Sequence, residues 1–514
     1  MKNEIMSDQP SNHTIGIPLW RDSNLFCHDL PSKPQPDIGT VLVTGASGYI
    51  GGRLVPELLA RGYRVRVMVR AKSPVYQELW PEIEVAVADA LDFNSLKAAL
   101  DGIDTAYYLI HSLLLGPHEF AEADKQAAEN FRRAAEEMQI KRIIYLGGLG
   151  DSSIRLSNHL WSRIEVAEEL KGGEVSTTVL RAAIIIGSGS ASYEIIQHLV
   201  KRLVVCFLPR WARKNKCQPI AVRDVIKYLV GCLEVRETSG KSFDIGGKDV
   251  LTYKQMMIIL GNLLHLKRVF IPSPFSNVRF FAYLTSLLTP VPNQITSCLI
   301  EGLKNDVVCH NDLIKKFFPF EPLSYKESIV RAMSREEQDR VYTRWSDSYP
   351  PAHELAMKLE ELKDVPMYTG SYSLITAKEA ASLFNSICQI GGREGWFHSN
   401  WMWRLRGTVD RILLGVGTSR GRRSRAGLKI NDVIDFWRVE DLQQDKRLLL
   451  RAEMKVPGKA WLEFAIADEE GKRTLSVVPY YNTKTFWGKI YWYMFLPFHH
   501  FIFNDLIRQI EKMS

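Results

Sequence analysis

The sequence predicts an α/β fold with a doubly wound parallel sheet, followed by a smaller α+β domain. Three observations support this prediction. Short apolar strands alternate with amphipathic helices between residues 40 and 186, glycine-rich turns close several of these strands, and strand-like runs from residue 433 onwards follow one another without helices between them. In parallel sheets of this kind a ligand lies beyond the carboxyl ends of the strands.

Composition divides the chain into four segments. Residues 1–38 are polar, lack the basic start and apolar centre of a signal peptide, and are predicted to form a disordered extension. Residues 39–333 carry the strand–helix alternation, 334–370 form a charged linker with Pro350 and Pro351, and 371–514 form the second domain.

Charge and cysteine content restrict the function classes. A net charge of +8 on 514 residues is mild and fits an anionic cofactor or surface, and no nucleic-acid-binding motif accompanies it. The seven cysteines are scattered without a C-x-x-C pair, which suits a reducing compartment and argues against a disulfide framework or zinc site. A cytoplasmic protein without a nucleic-acid partner is expected.

The first strand and its glycine turn predict a dinucleotide site. The apolar run 41–43 ends in TGASGYIG (44–51), and an amphipathic helix and a second strand follow. The turn should cradle a pyrophosphate at the positive end of a helix that begins near Tyr49. The predicted contacts are Thr44, Gly45, Ser47, Gly48, Tyr49, Ile50 and Gly51.

The end of the second strand decides between NADP(H) and NAD(H). An acid that would hold the ribose 2′-hydroxyl of NAD(H) is expected there, but the chain has Arg70, Ala71 and Lys72. A cation at that point can pair with a 2′-phosphate, so NADP(H) is favoured, although Arg70 also suits a solvated surface position.

The later strand ends supply the remaining cofactor contacts. Strands are predicted at 83–88, 104–110, 142–146 and 177–186, and the residues at or after the first three ends are Asp89, Ala90, Leu109, His111 and Gly147. Asp89 can accept a hydrogen bond from the adenine amino group. The alternative is a helix N-cap, for which Asp92 or Asn94 is equally suited.

TGASGYIG, Asp89 and the later SFDIGG (242–247) resemble the short-chain dehydrogenase/reductase superfamily in its atypical or extended branch. Four further motifs are similar to a bacterial subgroup of nitrogen-metabolite-repressor-like reductases that carry a C-terminal domain of unknown function: YLGGLGD (145–151), HLWSRIEV (159–166), LRAAIIIGSGSASYE (180–194) and CQPIAVRDV (217–225). The resemblance covers roughly residues 40–512 and implies a Rossmann-type domain that exchanges hydride with a nicotinamide cofactor.

The chain departs from the superfamily at its catalytic pair. The superfamily has Tyr-x-x-x-Lys on one helix and a Ser after the fifth strand, whereas this chain has His159 and Arg163 on the helix and glycines after the strand. Positions i and i+4 share one helix face, so both side chains should point at the cofactor.

Two interpretations of this departure stay open. In the first, His159 donates the proton, since an ordinary histidine pKa suits exchange at neutral pH, and Arg163 supplies fixed positive charge. In the second, the site binds the cofactor without turning it over. Ser152 or Ser153 is a weaker candidate for the missing hydroxyl.

The substrate side is predicted to be apolar. Residues 272–303 are rich in Phe, Leu and Pro, which favours a small hydrophobic ligand, although such a run also forms ordinary core.

The second domain is predicted to hold a helix at 376–390, strands at 433–439, 447–455, 460–467 and 474–481, and a long aromatic helix at 487–510. This order is compatible with a helix-grip cavity domain of the START-like kind. Seven tryptophans could line such a cavity or fill a core: Trp396, Trp401, Trp403, Trp437, Trp461, Trp487 and Trp492.

Two features raise the question of a membrane. The run 486–503 is aromatic and near spanning length, but Lys489, Pro497, His499 and His500 favour a buried or interfacial helix. The arginines at 420, 422, 423 and 425 suit a solvated loop or contact with phosphate or lipid headgroups. Peripheral membrane contact through the second domain is therefore a third hypothesis.

Overall fold

The computed structural model describes residues 24–70, 76, 80–111, 120–150, 156–337, 344–345, 359, 368–391, 395–396, 400–413, 415–418, 420, 428–469 and 472–514. Ser152, Ser153, the arginines at 422, 423 and 425 and most of the predicted linker lie outside these ranges.

The first domain is built on a parallel sheet of seven strands in the order β11–β6–β5–β4–β1–β2–β3. Its strands are β1 (Thr40–Thr44), β2 (Arg64–Val69), β3 (Glu84–Val87), β4 (Thr105–Tyr108), β5 (Arg142–Gly148), β6 (Ser176–Ala182) and β11 (Ser242–Ile245). Strand β1 lies in the interior of the sheet. The next two strands are added on one side of it and the later strands on the other side, as the alternating pattern predicts.

Helices connect these strands and cover the sheet. They are α1 (Gly51–Ala60), α2 (Phe93–Leu100), α3 (Phe120–Glu137), α4 (Asn158–Lys171), α5 (Ala191–Arg202), α6 (Arg210–Lys214), α7 (Val222–Glu234), α8 (Tyr253–Leu263), α9 (Val278–Leu288), α10 (Asn293–Gly302) and α11 (Tyr325–Glu337). Three two-stranded pairs lie beside the sheet: β7 (Ile185–Ile186) with β10 (Ile220–Ala221), β8 (Val205–Leu208) with β13 (Val269–Pro272), and β9 (Lys216–Cys217) with β12 (Leu251–Thr252).

Residues 24–38, which were predicted to belong to a disordered segment 1–38, pack against the first domain. Phe26, Cys27 and Leu30 are buried in the core of the first domain. The buried carboxylate of Glu57 accepts hydrogen bonds from the backbone N–H groups of Phe26, at 2.6 Å, and Cys27, at 3.1 Å. Residues 24–38 therefore pack against α1, because their apolar side chains are buried and their backbone donors are satisfied there.

The second domain is a separate antiparallel sheet. Its path is β14 (Tyr368–Thr369), β20 (Lys472–Asn482), β19 (Lys459–Glu469), β18 (Arg447–Ala452), β17 (Trp437–Gln443) and β16 (Val433–Ile434), and β15 (Tyr372–Thr376) also pairs with β20. Its helices are α12 (Ala380–Ile387), α13 (Asn400–Ile412) and α14 (Phe486–Met513). Helix α14 packs against β15, β20 and α12.

Element boundaries differ from the predictions where a turn interrupts an apolar run. The run 177–186 forms two strands, β6 and β7. The run 433–439 also forms two, because Asp435 adopts φ 54° in the turn between β16 and β17. The predicted helix 376–390 is only Ala380–Ile387, since Thr376 ends β15. Helix α13 has no counterpart among the predicted elements.

Most of the seven tryptophans of the second domain are core residues. Trp396 and Trp461 are fully buried, Trp403, Trp437 and Trp492 are buried, and Trp401 and Trp487 are exposed. Arg420 does not lie in a solvated loop, because it forms a buried ion pair with Glu453 at 2.6 Å. Across the described part of the chain, no helix has both the length and the apolarity that a bilayer crossing requires.

Candidate functional site

The glycine turn after β1 is so tight that its glycines cannot be replaced without collision. Gly45 has φ 61°, and a Cβ there would lie 2.7 Å from the carbonyl oxygen of Leu109. A Cβ on Gly51 would lie 2.3 Å from the carbonyl oxygen of Gly45. Gly48 closes the turn by donating its N–H to that same oxygen at 2.9 Å. Helix α1 begins at Gly51, so its positive end faces this turn, and the residues fit a pyrophosphate group.

Thr44 holds the sheet beneath the turn. Its buried hydroxyl donates to the carbonyl of Tyr107 at 2.9 Å and accepts from the N–H of Leu109 at 3.0 Å. Both hydrogen-bonding functions of the hydroxyl join β1 to the end of β4. Thr44 therefore supports the predicted site from below through its side chain, and Leu109 borders the turn through its backbone.

Sequence reasoning missed Arg53, which connects the glycine turn to a second loop. This buried side chain donates to the carbonyl of Tyr49 at 3.0 Å and to that of Ser188 at 2.8 Å, and it lies over the Tyr49 ring at 4.1 Å. Nothing in the motif indicated this role, because Ser188 is 135 residues away in sequence. The contact fixes the loop 187–189 beside the predicted pyrophosphate position.

Arg70 and Asp89 lie together at the ends of the neighbouring strands β2 and β3. Both residues are exposed. Desolvation of its guanidinium lowers the pKa of Arg70, and the attraction of the Asp89 carboxylate opposes this shift. Asp89 also accepts a hydrogen bond from the N–H of Leu91 at 3.0 Å, while the N-cap of α2 is Asp92. Ala90 is buried, and its carbonyl accepts from Asn130 at 3.2 Å. The glycine turn, Arg70 and Asp89 are called the dinucleotide end, after the cofactor that the sequence predicts there.

His159 lies in the first turn of α4, opposite His111 at the end of β4. The two ring centroids are 5.5 Å apart, and His111 Nδ1 lies 3.4 Å from the carboxylate of Asp124 on α3. Asp124 is buried and also accepts from Ser162 at 3.5 Å. His111, Asp124, His159 and Arg163 are called the reaction end, after the catalytic pair predicted at 159 and 163.

Arg163 lies against the end of β5, one helical turn after His159. Its guanidinium donates to the Tyr145 hydroxyl at 3.4 Å, and a Cβ on Gly148 would lie 3.3 Å from its Cγ. Gly147 is buried, and a Cβ there would lie 2.9 Å from the Tyr145 ring. The glycines that replace the expected Ser therefore give space to the side chains of Tyr145 and Arg163.

Both histidines of the reaction end favour the neutral form. Burial, followed by the charge of Arg163, lowers the pKa of His111 from 6.5 to about 4, against the opposing attraction of Asp124. Burial, His111 and Arg163 lower the pKa of His159 well below 6.5. This corrects the expectation of an ordinary histidine pKa at position 159.

Asp124 is the second residue that sequence reasoning missed. It lies on α3, three and four residues before the buried Ala127 and Ala128. A carboxylate on the apolar face of a helix was the available signal, because such a group is rarely buried without a partner.

The run 272–303, predicted to shape the substrate side, forms β13 in part and then α9 and α10. Helix α10 packs against α4, the helix that carries His159. Ile295 and Cys298 of α10 are buried. Burial, followed by the charges of Glu301 and Asp124, raises the pKa of the Cys298 thiol to about 12. An apolar helix therefore lies next to the reaction end.

Two family models match the chain, one in each domain. Residues 45–189 match the model described as NAD(P)H-binding, and residues 365–506 match the model of a protein of unknown function, DUF2867. The first match begins in the glycine turn and extends through the reaction end.

Curated relatives are similar to the first part of the chain. A mitochondrial NADH dehydrogenase (ubiquinone) 1 alpha subcomplex subunit 9 from Arabidopsis thaliana is 28% identical over 53% of this chain and 71% of its own length. Cinnamoyl-CoA reductase 1 from the same plant is 29% identical over 26% of this chain. A 3 beta-hydroxysteroid dehydrogenase/Delta 5-->4-isomerase from Mycobacterium tuberculosis is 33% identical over 21% of it. The chain spans only 43% and 31% of the lengths of the reductase and the steroid dehydrogenase.

Solved structures also resemble the first domain. A triphenylmethane reductase from Citrobacter in complex with NADP(H) aligns with 57% of this chain and 99% of its own, at a TM-score of 0.47 and 17% identity. A nucleoside-diphosphate-sugar epimerase from Staphylococcus aureus aligns with the same shares at a TM-score of 0.46 and 16% identity. The first domain is therefore a Rossmann-type domain whose residues 45–189 match an NAD(P)H-binding family model, and it is joined to an antiparallel-sheet domain that matches a family of unknown function.

Proposed function

We propose that the protein is an NADP(H)-dependent oxidoreductase that acts on an apolar carbonyl, alcohol or enoyl compound. One observation carries this proposal: the glycine turn and the His159–His111 pair both lie at the carboxyl ends of strands in the same parallel sheet. A dinucleotide whose pyrophosphate is bound at the glycine turn would extend along the carboxyl ends of the strands, with its nicotinamide towards the two histidines.

The dinucleotide end would hold the cofactor by its anionic groups. The turn Gly45–Gly51 surrounds the pyrophosphate, Arg70 pairs with the 2′-phosphate, and Asp89 accepts from the adenine amino group. When bound, the nicotinamide supplies or accepts a hydride. The preference for NADP(H) rests on Arg70, because a cation follows β2 in sequence at the position where an acid would hold the 2′-hydroxyl of NAD(H).

The residues of the reaction end would donate a proton to the substrate oxygen and stabilise the negative charge that develops on it. Arg163 supplies a fixed positive charge. The imidazolium form of His159 donates the proton in the reducing direction. This form is scarce at neutral pH because its pKa is low, but it is a strong acid once formed. Reduction should therefore accelerate as the pH falls.

Substrate turnover tests the proposal. NADPH consumption is followed by absorbance with a panel of aromatic and alicyclic aldehydes, ketones and enones. His159→Phe should lower kcat by about 100-fold or more, the usual contribution of a positioned acid, while NADPH titrations stay unchanged. The control His310→Phe changes an exposed histidine and should keep full activity. Equal rates for both variants would remove His159 as the acid.

The second candidate is a non-catalytic NADP(H)-binding sensor or carrier of an apolar ligand. The low histidine pKa values and the missing Tyr-x-x-x-Lys pair favour it, and one relative is named as a subunit of a larger dehydrogenase. The second domain, with α14 across an antiparallel sheet, would be the START-like ligand module. Mass spectrometry of small molecules released from the purified protein separates the candidates, because a retained apolar ligand without turnover supports the carrier.

A further inference from the structure

Helix α14 is apolar on its exposed side as well as on its buried side. Its inner face packs on the sheet, where Trp492 stacks on Tyr481 with ring centroids 5.7 Å apart. The outer side exposes Phe486, Trp487, Ile490, Tyr493, Phe498 and Phe501 over about four turns. Trp487 is 72% exposed and Phe486 69%. The outer side of a surface helix is normally polar, so this stripe needs a partner.

The neighbouring helix α13 exposes a second apolar stripe. Trp401, Leu405 and Val409 follow one another at intervals of four residues, and all three are exposed. Arg406 donates to the carbonyl of Lys455 at 2.8 Å, and Thr485 donates to the carbonyl of Pro457 at 3.3 Å. The loop between β18 and β19 therefore joins α13 to the start of α14.

Helix α9 of the first domain adjoins α13. The Tyr283 hydroxyl donates to the carbonyl of Ile412 at 3.4 Å, and Arg411 donates to the carbonyl of Thr289. Phe280 and Leu284 on α9 are exposed as well. The exposed apolar side chains of α9, α13 and α14 are called the docking face.

The charges along the docking face are basic as far as residue 504 of α14, where the next acid, Asp505, is half-buried. Arg279, Arg404, Lys484 and Lys489 are exposed on or beside the three helices. Helix α9 and residues 486–504 contain no acid, and the acid of α13, Asp410, is fully buried. Aromatic side chains bordered by lysine and arginine match the interface of an anionic bilayer, where rings lie at headgroup depth and cations meet phosphate.

We propose that the protein docks on anionic phospholipid membranes through this face, with α14 lying in the plane of the interface. A second copy of the chain is a poorer occupant, because a two-fold contact would bring like-charged residues of the two copies together. The inference is independent of turnover at the reaction end, since it depends only on the surface of the three helices.

Vesicle co-sedimentation of the full chain at low salt tests the proposal. The probes are phosphatidylcholine–phosphatidylglycerol vesicles and pure phosphatidylcholine vesicles. The protein should pellet with the first and bind the second several-fold more weakly. Phe486→Ser with Trp487→Ser should weaken binding by about tenfold or more. Lys484→Glu with Lys489→Glu should weaken binding to anionic vesicles by at least about fivefold for each charge removed, with less change on neutral vesicles.

Leu313→Ser with Val330→Ser is the matched control, because these exposed apolar residues lie outside the docking face and their loss should leave binding unchanged. Sedimentation velocity without lipid completes the test. The proposal is overturned if the wild-type protein stays in the supernatant with anionic vesicles. It is also overturned if the protein is a dimer that the Phe486→Ser, Trp487→Ser variant dissociates, since a second copy then covers the face.

Discussion

The two ends of the candidate site differ in whether main-chain or side-chain atoms form them. At the dinucleotide end the predicted pyrophosphate cradle is main chain within the eight-residue motif 44–51, and only Arg70 and Asp89 add side chains from outside it. At the reaction end four side chains meet from three separate segments: His111 after β4, Asp124 on α3, and His159 and Arg163 on α4. A site made of backbone depends on local sterics, whereas a site made of side chains depends on which distant segments the fold brings together.

The largest expected effect is at the dinucleotide end, in Gly51→Ala. The new Cβ would lie 2.3 Å from a backbone oxygen that no side-chain rotation can move away. The free energy of unfolding should fall by about 3 kcal/mol, and NADPH binding should fall with it because the turn is displaced. Chemical denaturation and fluorescence titration measure the two effects.

Gly302→Ala is the matched control for this variant. A Cβ at Gly302 would lie 3.9 Å from its nearest neighbour, the Ser157 hydroxyl, so stability should change by less than about 1 kcal/mol. Similar losses of unfolding free energy in both variants would show that the steric clash at Gly51 is not the cause of the effect.

This contrast explains what the sequence could predict. The order of strands and helices, the glycine turn and the Arg70 position follow from patterns that each span a few residues. Arg53 and Asp124 were missed because their partners lie far away in sequence or on another helix. The pKa of His159 was misjudged for the same reason, since the burial and neighbouring charges that lower it appear only in the folded chain.

The second domain shows the same limit at larger scale. Its long strands and α14 were predicted within a few residues, because alternation and aromatic content are local signals. The inner and outer sides of α14 could not be distinguished in sequence, since both are apolar. Burial separates Trp492, which stacks in the core, from Trp487, which is exposed.

The next effect in size concerns acid stability at the reaction end. Because the folded-state pKa of His111 is lowered from 6.5 to about 4, the unfolded chain binds the extra proton first as the pH falls. The contribution of His111 is therefore fully present above pH 6.5 and is lost progressively towards pH 4. It amounts to at most about 3 kcal/mol.

Denaturation at a series of pH values between 7 and 4 measures this contribution. His111→Phe should flatten the pH dependence of the free energy of unfolding within that window. His310→Phe, which changes an exposed histidine, should keep the slope of the wild-type protein. Parallel curves for the wild-type protein and His111→Phe would contradict a half-buried His111 that is neutral in the folded chain.

The smallest of the three effects, and the sharpest test of the dinucleotide end, is Arg70→Ala. A charged hydrogen bond to a phosphate contributes about 1.5–3 kcal/mol, so NADPH binding should weaken by about 10- to 100-fold while NADH binding stays within about twofold. Arg64→Ala, at the opposite end of the same strand, controls for a general loss of positive charge and should change neither affinity. Equal weakening of both cofactors by Arg70→Ala would assign the residue to the common part of the dinucleotide. The choice of NADP(H) would then depend on some other group.

Because Asp89 attracts the same guanidinium, Asp89→Asn should shift the ratio of the two affinities the opposite way, towards NADPH.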